Sequence, residues 1–295
     1  MTIADPKKLA GAFIFGFVLG LIAITLAPPG PLDAGRLRQA NAQTGGTVAP
    51  LFSVGCNYSH SSTDDPVGNM HHLHDFWGNT TTSNQSTYGS MTKAPTTCAV
   101  PSDTAAYWNP AVRINGKRVL PSRKPGNFYY ALVGNQDVSE IRPYPPNFKM
   151  IANEGNGQLK FYCSDARERK LEAPPGTCRG SLLVIKLVFP SCWDGDHDDV
   201  RAPGPEDVRE AVTVNGRRKC PASHPVALPE LNTGMQYPTS GTIDTVQVAG
   251  DSGWQSWRTA HADFWNTWDQ PELERLINRC LKNGPYNRRP EECQA

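Results

Sequence analysis

The sequence predicts a mainly β, antiparallel domain of sandwich or jelly-roll type, closed by a C-terminal helix and preceded by one N-terminal transmembrane helix. Three observations carry this. Glycine and proline stand at 26 each in 295 residues, a punctuation that breaks long helices and suits short strands. Short apolar runs recur between those breakers, and one of them turns at Asn115-Gly116, a strong hairpin signal. Ahead of them all, Leu9 to Ala27 is an uncharged, mostly apolar run of 19 residues, close to the length of about 20 that spans a bilayer.

Residues 1–27 read as a signal anchor. Lys7-Lys8 precede the apolar run and Pro28-Pro29-Gly30 stops it, so the lysines stay cytoplasmic and the bulk of the chain lies outside, a single-pass protein of the cell membrane. The run is longer than the apolar core of a cleaved signal peptide. The Ala40-Asn41-Ala42 pattern that would suit cleavage, and hence secretion, lies well beyond it. Residues 28–50, rich in Pro, Gly, Ala, Gln and Thr, form a tether, and the extracytoplasmic domain occupies 51–295.

Within that domain, strands are expected at Ala111 to Ile114, Arg118 to Leu120, Phe128 to Val133, Phe148 to Ala152, Leu159 to Cys163, Leu182 to Phe189 and Thr242 to Val248. Leu182 to Phe189 is the most apolar and reads as the buried central strand, ended by Pro190. Pro271 to Lys282 reads as the one helix, with Pro near its start and Leu273, Leu276, Ile277 and Cys280 at helical spacing. All 8 cysteines follow the apolar segment, and none forms a CxxC, which points to disulfides rather than a zinc ribbon. Cys163 with Cys178 and Cys280 with Cys293 are local candidates. The formal net charge is +1 without a basic run, which argues against nucleic acid as a partner.

The chemistry concentrates in His71-His72-Leu73-His74-Asp75-Phe76-Trp77-Gly78-Asn79. In extended backbone His72 and His74 share one face, and Leu73 and Asp75 the other. A second stretch, His261-Ala262-Asp263-Phe264-Trp265-Asn266, repeats the theme, and the two are expected to meet in one polar site. His72, His74, His261 and Asp263 would then offer nitrogen and oxygen ligands to one divalent transition metal, with an open position for catalysis. Without a metal, neutral imidazoles still serve as acids or bases. A rival chemistry is glycoside hydrolysis by carboxylates from Asp75, Asp194 and Asp263. Trp193-Asp194-Gly195 equally suits a tight turn. Trp77, Trp265 and Trp268 are candidates for stacking on sugar rings beside the site.

The histidine stretch, Thr96-Thr97-Cys98, Ala106-Tyr107-Trp108, Phe189 to Gly195, Cys220-Pro221 with His224-Pro225, and His261 with Asp263-Phe264 resemble, in this order, the motifs of the DUF1996 family, a domain of unknown function. The resemblance implies a secreted or surface protein, sometimes joined to modules associated with cell-wall carbohydrate, and brings no established activity. The reading that follows is a membrane-anchored extracytoplasmic protein that binds or cleaves a cell-envelope or environmental polysaccharide through a His/Asp cleft, as a glycoside hydrolase-like or metal-dependent hydrolase. Its rivals are a non-catalytic carbohydrate-binding or wall-organising module, and a metal-dependent enzyme on a substrate other than sugar.

Overall fold

A computed structural model of the chain describes residues 50–66, 71–134, 136–152, 158–167, 169–196, 208–209 and 211–282. The apolar run, the tether up to residue 49, His197 and Cys293 lie outside them. Among the described residues no helix is long and apolar enough to cross a membrane.

In chain order the strands are β1 (Pro50–Cys56), β2 (Tyr58–Ser62), β3 (His74–Gly78), β4 (Ala106–Pro110), β5 (Val112–Ile114), β6 (Lys117–Val119), β7 (Gly126–Ala131), β8 (Lys149–Ala152), β9 (Gln158–Cys163) and β10 (Leu182–Val188). There follow the short β11 (Cys192–Trp193), β12 (Val208–Arg209), β13 (Val212–Val214), β14 (Arg217–Lys219) and β15 (Val226–Ala227), then β16 (Glu230–Pro238), β17 (Val246–Gly250), β18 (Gly253–Ser256) and β19 (Ala262–Trp265). The helices are α1 (Tyr88–Met91), started by Thr87 in a capping box, and α2 (Gln270–Leu276), started by Asp269 on the Glu272 amide. A π turn, Ile277–Lys282, continues α2, so the expected C-terminal helix is present and buries Leu273, Leu276 and Ile277.

Two five-stranded antiparallel sheets carry the domain, ordered β1-β7-β16-β10-β9 and β2-β3-β4-β19-β8, with a four-stranded sheet β18-β17-β5-β6 beside them. Their inner faces share one core. Phe52, Phe128, Tyr130 and Met235 from the first sheet pack with Trp77, Tyr107, Met150 and Phe264 from the second, and the Tyr107 and Phe128 rings stack at 3.9 Å. The expected hairpin forms β5 and β6, with Asn115 and Gly116 both at positive φ, 50° and 75°. Leu182–Val188 is an interior strand, but the middle of its sheet is β16, which no sequence signal singled out.

Three disulfides join described residues: Cys56–Cys98, Cys163–Cys178 and Cys192–Cys220. The second is the local pair expected from spacing, while the other expected local pair reaches Cys293, outside the described residues.

Candidate functional site

Side-chain alternation along the second sheet builds the site. On β3, Asp75 and Trp77 turn to the inner core, so His74 and Phe76 face outward. Phe76 stands opposite Trp108 of β4, and Trp108 opposite Asp263 of β19, which places all three in one outward row. His74 stands opposite Pro110 one row further on, and His261, two residues before Asp263, comes level with it. The compact proline ring in the middle leaves room for the two imidazoles to meet above it. Their Nε2 atoms lie 3.3 Å apart across 187 residues of sequence.

His72 completes the group. One nitrogen from each of His72, His74 and His261 lies within 4.8 Å of the others, and the three residues are buried, the most exposed at 7%. His72 Nδ1 meets the Asp251 carboxylate at 2.9 Å, and His261 Nδ1 meets the Thr259 carbonyl at 3.3 Å. Both contacts hold the proton on Nδ1 and turn a bare Nε2 toward the cluster, the arrangement that outer partners give to metal-binding histidines. His72 Nε2 has no hydrogen-bond partner, nor does either oxygen of the fully buried Asp263. Asp263 Oδ2 lies 3.8 Å from His261 Nε2, and Asp65 Oδ2 lies 3.7 Å from His74 Nε2. These edges are close to the ligand-to-ligand spacing of about 3.4 Å that bonds of about 2.1 Å give around one tetrahedral ion.

Burial sets the protonation of these groups. Burial first, then the His261 and His72 imidazoles, hold the His74 pKa well below its usual value. Burial, then His72, lowers His261 to about 4, so both stay neutral and keep lone pairs to give. Burial, and then the neighbouring Asp65, pushes Asp263 well above the ordinary carboxylate range. A cation in the cluster would reverse that preference and favour the carboxylate.

Several expected site residues stand elsewhere. Asp75 is on the opposite face of β3, where it accepts from Ser61 Oγ at 2.6 Å and pairs with Arg118, so it is no part of the histidine cluster. Asp194 accepts the Asp196 amide at 2.9 Å and closes a turn, the bonding that favours Asp there, and among the described residues it is not one of the groups at the histidines. The three tryptophans offer no ring to a ligand. Trp77 and Trp268 are in the core, Trp268 Nε1 donating to Tyr130 at 2.8 Å, and Trp265 is 2% exposed under Lys149. Large rings at strand positions bury more apolar area inside than a groove can use.

Asp65, Asp251 and Thr259 were not legible as site residues. Asp65 lies in an Asp-Asp-Pro step, and Asp251 in the Gly250-Asp251-Ser252-Gly253 turn, where Asp has an ordinary turn role. Cys56, Cys98 and Asp103 also lie close together, but the disulfide occupies both sulfurs.

The family model described as Domain of unknown function (DUF1996) matches residues 65–268, which contain both histidine stretches. Neither a curated protein nor a solved structure matches the chain.

Proposed function

Because this chain belongs to the DUF1996 family, whose description assigns no activity, we propose a function from the site itself: a metal-dependent hydrolase centred on His72, His74, His261 and Asp263. The observation that carries it is the convergence of three buried imidazoles, two of them anchored through Nδ1 so that Nε2 faces the cluster. A divalent transition metal there would supply Lewis acidity and an activated water. The side chains do the rest. His72, His74 and His261 would hold the ion, Asp263 would add an oxygen ligand, and Asp65 is near enough to take or return a proton at the cluster. Access would come from the side of His72 and the exposed Asp251 turn.

In this reading the scaffold is a sandwich of jelly-roll type, held outside the membrane by residues 1–27, and the substrate is a cell-envelope or environmental polysaccharide. Support for the glycan comes from the expected export and from the surface character of the resembling family, not from aromatic stacking at the histidines. A second reading has an observation of its own. Burial of all three imidazoles also suits a metal that staples a non-catalytic carbohydrate-binding module.

The test is elemental analysis of the purified full-length chain before and after chelation, beside His72→Ala and His261→Ala. One equivalent of a transition metal in the wild type, lost in both variants, is the expected result. Metal-free wild type after reconstitution with zinc, cobalt, manganese and copper salts overturns the metal centre. Stoichiometric metal that raises the melting temperature, without turnover on any glycan screened, favours the staple.

A further inference from the structure

On the far side of the core from the histidines, the first sheet turns a second polar face outward. Alternation puts Asn127 and Tyr129 of β7, Asn232, Gly234 and Gln236 of β16, Lys186 of β10, and Lys160 and Tyr162 of β9 on it, with the buried Val184 and Val188 of β10 opposite Gln236 and Asn232. Lys186 stands opposite Gly234 on one side and Lys160 on the other. An outward polar face is ordinarily well solvated, yet Asn232 is 3% exposed and Gln236 8%. Asn232 donates its amide to Glu230 Oε1 at 3.0 Å, while its Oδ1 is buried without a hydrogen-bond partner. A buried orphan acceptor costs about 1–3 kcal/mol, a cost that a donor arriving from a ligand removes.

Gly234 marks the floor of this face. A Cβ there would meet Asn127 O, Tyr162 Oη and Val184 Cγ1 all at 3.7 Å, ordinary contact distance, so packing does not demand glycine. Its effect is to leave the floor low between Asn127 and Tyr162. The rim is cationic. Lys160, Lys170 and Lys186 lie near one another, Arg167 lies near the Tyr129 and Tyr162 rings, and Glu172 and Glu230 are the carboxylates beside them. Burial, then Lys170, lowers Lys186 to about 8, while the Glu230 carboxylate pulls the other way.

We propose that this face binds an acidic polysaccharide, a segment bearing uronate carboxylates, with Lys186 receiving a carboxylate and Asn232 Oδ1 accepting a sugar hydroxyl. The cationic surplus selects the carboxylate, and the amide and phenol groups around Gly234 select a polyhydroxylated ligand over a simple polyanion. The inference shares with the proposed hydrolase only the class of ligand. It involves no metal ligand, so the two readings fail separately.

Affinity electrophoresis of the full-length chain in gels containing polygalacturonate, a neutral β-glucan or polyglutamate tests it, each run with chelator and repeated with metal. Retardation by polygalacturonate alone is expected, weakened at least tenfold by Lys186→Met and by Asn232→Ala. Lys170→Gln changes an exposed side chain, keeps the fold testable should either buried variant melt early, and should weaken retardation several-fold. No retardation by polygalacturonate, equal retardation by polyglutamate, or full binding by folded Lys186→Met overturns the proposal.

Discussion

Asp251→Ala tests whether the histidine cluster is held ready for an ion. Asp251 stands in the turn between β17 and β18, its side chain 60% exposed, and meets His72 Nδ1 at 2.9 Å and the His71 amide at 3.3 Å. Without it the His72 ring can change tautomer and rotate, and Nε2 loses its aim at the other two imidazoles. Loss of such an outer partner typically weakens metal binding by about 10–100-fold. Water can replace this exposed carboxylate on Nδ1, which puts the effect at the low end, about tenfold or about 1.4 kcal/mol. Competition with a chromophoric chelator for zinc or cobalt measures it on wild type, Asp251→Ala and Asp251→Asn. Asparagine keeps an acceptor oxygen and should recover most of the affinity. An alanine variant that binds as tightly as wild type would refute the argument, as would an asparagine variant no better than alanine.

Other outcomes follow from the same geometry. Burial, against the pull of Arg118, raises Asp75 to about 6, so its contribution to stability is present below about 4 and lost as pH rises through 6. Urea midpoints from pH 4 to 7 should show Asp75→Asn gaining on wild type by about 3 kcal/mol across that window, and parallel profiles would contradict it. His261, lowered to about 4, acts in the opposite sense, adding stability as pH rises from about 4 to 6.5 in the metal-free chain, which is why the difference between the two proteins is the quantity to measure. Trp77→Ala should cost about 3–5 kcal/mol of unfolding free energy and leave glycan retention unchanged, because the ring is core. Replacing Cys163 and Cys178 by serine opens a 15-residue loop and should cost about 3 kcal/mol, read by denaturant unfolding under oxidising conditions.

What the sequence made legible was local. Asn115-Gly116 announces its hairpin because few other residue pairs take two positive φ values in succession. Pro271 and the apolar spacing after it announce α2, and the repeated i, i+2 pattern of His72/His74 and His261/Asp263 was enough to suggest that two distant stretches meet. The middle strand β16 carries a weak sequence signal although Leu231, Thr233, Met235 and Tyr237 alternate with Asn232, Gly234 and Gln236. Its polar positions are themselves buried, and Gly234 and the flanking prolines look like breaks. Adjacency in sequence places Asp75 and Trp77 beside the histidines, whereas alternation on β3 sends them to the other side of the sheet. Asp65 and Asp251 reach the histidines through tertiary folding alone, so no spacing rule could find them.

In the order β2-β3-β4-β19-β8 the strand made last sits between two made long before it. During synthesis β4 and β8 therefore wait as open edges, and about 110 residues separate the end of β8 from the start of β19. A chain cut short anywhere upstream of Ala262 keeps both edges for good, an invitation to aggregate rather than a smaller version of the domain. The arrival of β19 also delivers His261, so closing the sheet and finishing the proposed ligand set are one event. Ion capture would then be a certificate of completed folding, stamped in whichever compartment the chain reaches its end.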